Sequence, residues 1–404
     1  MASSFAWLDY SDHDRQKAMD VVDLFREEDT RDELGIGVIR DGIADQLFPG
    51  TSTIQTRVRY FLFLSWLFAK FGLKYTANER FTKRSRQLQD RLRIGLVNGG
   101  EKLGVIGYQA GASVQRLPSS VYWQGLNRWG ILRFRGSEKE YQRELARLQL
   151  QGERPTDDDG EPLGFDNCNL WDPSIPLPPD DWLEATEFAL PLHEAEYLRD
   201  RLDFAAKDSL LTYFVHIGIE PNDTDFAWLH MSPDSLPRRL SEELEHARNF
   251  SESMHGAALL YNLMLSEERN RGDWVEGYRL ALSEWWKTRE ERATELSSWD
   301  RPRFWSLLTS WHVRVRPPVH AFVEDWITQI NEFHRPEDVF ENMMLRSMIK
   351  NRECTLKGAR ARLGNPRALD LWRGSSGSAQ LDFRWNRPVK SIVTDIIQGL
   401  RSSS

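Results

Sequence analysis

The sequence predicts a mainly α-helical, multi-helix protein with a few short strands and a winged-helix-like unit in its N-terminal half. Two observations carry this. Apolar residues recur at helical spacing through most of the 404 residues, between Gly, Pro and Ser/Thr/Asp positions that suit helix ends. Strand-like runs are few and short, at 104–107, 131–135 and 381–385.

In chain order, Ser11 caps a first helix reaching about Glu28, with Asp12 and Asp14 in the first turn, where the helix dipole favours acids. Residues 34–47 give a second helix, stopped by Phe48-Pro49-Gly50. Thr51 or Thr53 caps a third, which runs through 57–71 and is apolar nearly all round, the mark of a buried helix. Residues 79–97 form an Arg-rich amphipathic helix ended by Asn98-Gly99-Gly100, and 138–150 a solvated one. The pattern is helical again over 186–345, with caps or breaks at Ser232-Pro233, Ser241, Gly272, Asp300-Arg301-Pro302 and Pro317-Pro318. Residues 373–380 read as a flexible loop and 389–400 as a final helix. Of sixteen tryptophans, six fall between 274 and 311; packing between helices is the expected use, a base-stacking surface the alternative.

Composition excludes several classes. With 40% hydrophobic and 28% charged residues the chain is globular. Its longest apolar stretch, 60–69, is far shorter than the roughly 20 residues a bilayer span needs. The N-terminus lacks a basic segment followed by an apolar one, and Cys168 and Cys354 cannot build a disulfide framework, so a cytoplasmic protein is expected.

Charge divides the chain further. The total is −8, yet residues 57–137 carry fifteen Lys or Arg against Glu79, Asp90 and Glu101, a net of +12. Residues 153–187 carry eleven acids against Arg154, and 346–373 eight basic residues against Glu353 and Asp370. The expected organisation is therefore a helical N-terminal domain (1–150) with its basic unit at 57–137, an acidic Pro-rich connector (151–185), a helical domain (186–345) and a basic C-terminal subdomain (346–404). A +12 segment suits a polyanion; the alternative is that it docks on an acidic stretch of the same chain.

Within the basic unit, Pro118 and Ser119 suit a helix start, Tyr122, Leu126 and Trp129 share one face, and Gly130 precedes a strand-like Ile131 to Arg135. Helix, glycine turn and strand is the order in which a winged helix-turn-helix places its reading helix; the alternative is an ordinary packed helix, since the strand leads almost at once into the 138–150 helix. Ser120, Gln124, Asn127 and Arg128 then lie on the outer side, as residue types that hydrogen-bond base edges or phosphates. Arg80, Lys83, Arg84, Arg86, Arg91, Arg93, Arg116, Arg133 and Arg135 complete the expected nucleic-acid surface. A secondary basic site is expected from Arg352, Lys357, Arg360, Arg362 and Arg367, whose guanidinium forks fit phosphate oxygens. A packed C-terminal subdomain, or docking onto the acidic connector, is the competing use of that segment.

No catalytic template is found. Gly-Lys, Gly-x-Ser-x-Gly, His-Glu-x-x-His, Cys-x-x-Cys and His-x-Lys are all missing from the sequence. Glu243/His246 and Glu252/His255 have the spacing of di-iron bundles, but nine residues on one helix put the histidines roughly half a turn out of phase. His193, Glu194 and Glu196 read as a polar helix start, and Asp157 to Asp159 with Glu161 as a solvated acidic loop. No catalytic residue, cofactor or metal ligand is assigned.

The segments 5–63, 105–132 and 381–400, opening FAWLDYSDHDRQKAMD, VIGYQAGASVQRLPSS and LDFRWNRPVKSIV, together resemble an uncharacterised bacterial family known as a domain of unknown function. The resemblance covers essentially the whole chain. It implies a bacterial cytosolic protein whose gene lies in antiphage defence islands beside helicase and phospholipase D-like nuclease genes, and it brings no fold or site residues. The expected role is a non-enzymatic nucleic-acid-binding subunit, for DNA or RNA, or an adaptor of such a system. A protein-only scaffold for an acidic partner and a metal-dependent nuclease are the alternatives.

Overall fold

A computed structural model describes residues 32–71, 78–150 and 170–402. The helix expected from Ser11 and the acidic loop 157–161 lie outside these residues. The described chain is helical, as expected. In order come α1 (Gly37–Leu47), α2 (Tyr60–Phe71), α3 (Asn78–Asn98), α4 (Pro118–Arg128), α5 (Glu138–Leu150), α6 (Leu192–Ala206), α7 (Leu210–Ile217), α8 (Ala227–His230) and α9 (Arg238–Glu268). After these follow α10 (Gly272–Glu291), α11 (Ala293–Ser297), α12 (Arg301–Ser310), α13 (Pro317–Ile330), α14 (Pro336–Phe340), α15 (Met343–Lys357), α16 (Pro366–Leu369) and α17 (Lys390–Arg401).

The expected short strands are a correction. Residues 104–107 form turns, 381–385 run through a turn at Phe383 and Arg384 into a π-helical turn that begins at Trp385, and 131–135 contribute only an isolated bridge, Leu132 to Trp171. Among the described residues no hairpin follows α4, so it is not followed by a wing. The chain after Gly130 is held by single contacts instead: Leu132 N donates to the Leu126 carbonyl and Asp172 N to that of Ile131. Residues 373–380 are a second correction. Ser376 and Ser378 are buried, and Asn262 of α9 exchanges two hydrogen bonds with Ser376, donating to its carbonyl at 3.0 Å and accepting from its amide at 2.8 Å. Small side chains let this segment press onto α9, which is why a Gly/Ser-rich run is packed rather than solvated.

Helix starts moved for local reasons. The Asp32 carboxylate accepts from the amides of Ile36 and Gly37, so α1 begins at Gly37. Thr51 and Gln55 hydrogen-bond back to the carbonyls of Phe48 and Gly50, keeping 51–57 as a loop until α2 starts at Tyr60.

Two compact units share the described residues, each drawing on two stretches of chain. One comprises the described residues up to Ile43 with Ser241–Phe383; the other comprises Ala44–Leu240 with the residues from Arg384 onward. The consecutive segments read from charge follow composition and are a different division.

In the second unit α2 is the buried centre that its all-round apolar sequence predicts: Phe61, Leu62, Phe63, Leu64 and Trp66 are fully buried. Phe61 stacks on Trp129 at 4.1 Å, and Phe63 on Trp182 at 5.7 Å. Each such ring contributes about 1.5–3 kcal/mol by burial. Gly125 of α4 is required by close approach, since a Cβ there would sit 2.5 Å from the Gly50 carbonyl oxygen. Gly130, at φ +67°, ends α4 as the sequence predicts. In the first unit the long helix α9 is the centre, and tryptophans pack on it. Trp285 and Trp326 donate their indole N–H groups to the carbonyls of Glu252 and Ser253, and both rings are buried.

Candidate nucleic-acid interface

The expected basic residues lie on α3, on the turns that follow it and on α4. Phe81, Leu88, Leu92 and Leu96 form the buried stripe of α3, which leaves Lys83, Arg86 and Arg91 exposed and Arg84 and Arg93 half-buried. Arg80 lies in α3, with its side chain outside the described residues. On α4, Val121, Tyr122, Leu126 and, just beyond, Trp129 point inward. Ser120, Gln124 and Arg128 are exposed and Asn127 is half-buried, the stripe that the spacing requires. Two of these have local bonds: Ser120 Oγ donates to the Leu117 carbonyl and Asn127 Nδ2 to that of Trp123. Arg116, Arg133 and Arg135 are exposed beyond the two ends of the helix.

Partners separate cations that hold the fold from cations that face out. Arg59 is buried and paired through two 2.7 Å hydrogen bonds with buried Glu194, and donates a third to the Glu187 carbonyl. Arg57 makes a forked contact with Asp395, whose carboxyl burial pushes up while Arg57 pulls it back down. Arg93 pairs with Asp90 at 2.8 Å, Arg91 lies 4.0 Å from Glu184, and Arg133 lies 3.9 Å from Asp172. By contrast, no carboxylate of the described residues lies within 4 Å of Lys83, Arg86, Lys102, Arg116, Arg128 or Arg135. Docking on the acidic connector accounts, among the described residues, for the Arg91–Glu184 and Arg133–Asp172 approaches alone.

Arg86 has a local role. Its Nη2 donates to the carbonyls of Ala112 and Val114, at 2.9 Å each, clamping the 112–114 segment to α3. Gln89 Oε1 accepts from the Ser119 amide at 2.8 Å and ties α3 to the start of α4. Between these ties lies a cavity of about 250 Å³, with Lys83, Arg86 and Arg93 on one side and Ile106, Val114 and Leu117 on the other. Sequence reasoning missed these three apolar residues: Ile106 falls in the strand expected at 104–107, and Val114 and Leu117 fall in the Gly-rich stretch before Pro118, to which no element is assigned. A larger groove of about 940 Å³ in the same unit is lined by Trp182, Leu190 and Leu192 with Asp180, Glu187 and Glu196. Its carboxylates have the wrong sign for a polyanion.

The secondary basic site turns inward. Arg352 is 7% exposed and donates to the carbonyls of Leu34, Pro318 and Gly35. Lys357 and Arg362 both bond Glu33; Lys357 also pairs with fully buried Glu353 at 3.0 Å, and Arg362 Nη1 donates to Ser376 Oγ. Only Arg360 and Arg367 of the five are exposed. These guanidinium and ammonium groups complete carbonyls and carboxylates of their own unit, so the expected phosphate contact is not presented.

The histidines of α9 are likewise committed. His246 Nδ1 accepts from Trp299 Nε1 at 2.8 Å, and His255 Nε2 bonds the Ser378 carbonyl at 3.1 Å. Glu252 bonds Arg248 and Arg292. Among the described residues no three His, Cys, Asp or Glu side chains converge as metal ligands, and no helix is long and apolar enough to cross a membrane. Glu194 lies in the first turn of α6, at the helix start expected of it, and is also the buried partner of Arg59; nothing in its sequence neighbourhood signals that pairing.

Comparison with known proteins gives one match. The sequence profile of a family of unknown function, DUF6361, matches residues 2–394. No curated protein and no solved structure matches significantly.

Proposed function

The chain belongs to the DUF6361 family of unknown function, and from that premise we propose that it is a non-enzymatic nucleic-acid-binding subunit whose ligand is DNA. The observation that carries the reading is the outward set Lys83, Arg86, Arg116, Arg128 and Arg135, which no carboxylate of the described residues neutralises. Phosphates neutralise such cations with release of counterions, and the exposed stripe Gln124 to Arg128 offers groups that hydrogen-bond base edges. The α4 stripe takes the part expected of a reading helix, without a wing. The resemblance noted from the sequence supports a cytoplasmic role in an antiphage assembly with a helicase or phospholipase D-like nuclease, in which the chain also serves as adaptor.

The test is a titration of the full chain against labelled duplex and single-stranded DNA at 50 and 200 mM salt, beside the Lys83/Arg86/Arg116/Arg128/Arg135→Glu variant. Five neutralised phosphates weaken binding roughly 500-fold over that salt range. The expected result is that loss with salt, and no binding by the variant. Undiminished binding by the variant, or none by the unmodified chain at 50 mM salt, overturns the reading.

A further inference from the structure

The cavity between α3 and the start of α4 has no part in contacts to a duplex surface. We infer that it takes one unstacked nucleotide of a single strand, with the base inward and its phosphate on the cations at the rim. This rests on the nucleic-acid reading above and adds the type of strand to it.

The cavity is two-sided in chemistry. Ile106, Val114 and Leu117 give it an apolar wall, which offers nothing to a phosphate and suits the flat face of a base. In a duplex that face is stacked and out of reach, so only an unpaired base can use it. Hydrogen bonding to a base edge needs an uncommitted polar group, and the two glutamines in the lining differ in this respect. Gln89 is held by the Ser119 amide and by Ser85 Oγ, whereas Gln87 is exposed and has no hydrogen bond within the described residues. Three cations face one carboxylate here: Arg93 is paired with Asp90 and Arg86 Nη2 clamps the 112–114 segment, which leaves Lys83 and the other N–H groups of Arg86 for the phosphate. The segment that walls the cavity also carries Tyr108, 42% exposed, a ring on which a neighbouring base can stack.

The experiment uses the full chain with a 2-aminopurine-labelled DNA single strand, the matching duplex, and an RNA strand of the same sequence, all at 50 mM salt. Ala112→Phe narrows the cavity from an exposed position, and Gln87→Ala removes the base-edge partner from another. Ala112→Phe is expected to weaken single-strand binding about ten-fold and abolish the 2-aminopurine signal change while duplex binding stays within about two-fold. Gln87→Ala is expected to act in the same direction, about three-fold. The same sensitivity for RNA supports the pocket with either sugar. Equal losses for single strand and duplex, or no loss for either, overturn the pocket and leave salt-dependent binding standing. No salt-dependent binding of any strand by the unmodified chain overturns the nucleic-acid reading itself.

Discussion

The basic stretches 57–137 and 346–373 look alike in composition and are used in opposite ways. In the second, Arg352, Lys357 and Arg362 turn inward onto the Leu34, Gly35 and Pro318 carbonyls and the Glu33 and Glu353 carboxylates. In the first, Arg57 and Arg59 do the same with Asp395 and Glu194, but Lys83, Arg116, Arg128 and Arg135 face water. What separates them is the supply of acceptors nearby. Buried carboxylates and carbonyls must be satisfied, and an arginine or lysine within reach is recruited to them. On α3, Arg86 is recruited in this way by the Ala112 and Val114 carbonyls, whereas Lys83 and, on α4, Arg128 find no such acceptor and remain outside.

That contrast can be broken by substitution. The largest effect is expected from Glu353→Ala, which leaves the Tyr261 hydroxyl and the Arg362 and Leu363 amides without their acceptor and removes one of the two carboxylates on Lys357; it should cost about 3–5 kcal/mol in urea unfolding. Arg59→Ala should cost a similar amount, because it strands fully buried Glu194, and would show that the first stretch is itself divided. Arg128→Glu should leave the unfolding midpoint almost unchanged. It should reduce the slope of log affinity against log salt by about 0.9 for the lost phosphate. A pH titration of stability sharpens the inward case. Burial holds the His246 imidazole below its ordinary 6.5, so the unfolded chain takes up a proton first. Stability should therefore be full above pH 6.5 and fall as the pH drops below it, and His246→Gln, which can still accept from Trp299, should flatten that decline. The smallest effect is expected from Arg360→Glu with Arg367→Glu. Both side chains are exposed, and the pair should change stability by less than about 0.5 kcal/mol and DNA affinity by less than about two-fold.

The helices were legible because their signals are local. The all-round apolar α2, the outer stripe of α4 and the stop at Gly130 each follow from spacing or backbone freedom within a dozen residues. The strands were not legible for a related reason. Ile131 to Arg135 alternates in the right period, but a strand needs a partner, and the chain supplies only the Leu132–Trp171 bridge. Residues 373–380 have the composition of a loop, and nothing in that composition reveals that Asn262 and Tyr278 bind their backbone. For the candidate interface, charge density singled out the stretch 57–137, while the division between structural and outward arginines depended on Glu194 and Asp395, far away in sequence.

The Arg57–Asp395 contact joins residues 338 positions apart. On a ribosome adding about 5–20 residues each second, Arg57 emerges roughly 20–70 s before the carboxylate that will receive it. Throughout that interval the aromatic surface of α2 is synthesised without the C-terminal helix that completes its unit. The packing of this unit can therefore be completed only after the helix that carries Asp395 has emerged.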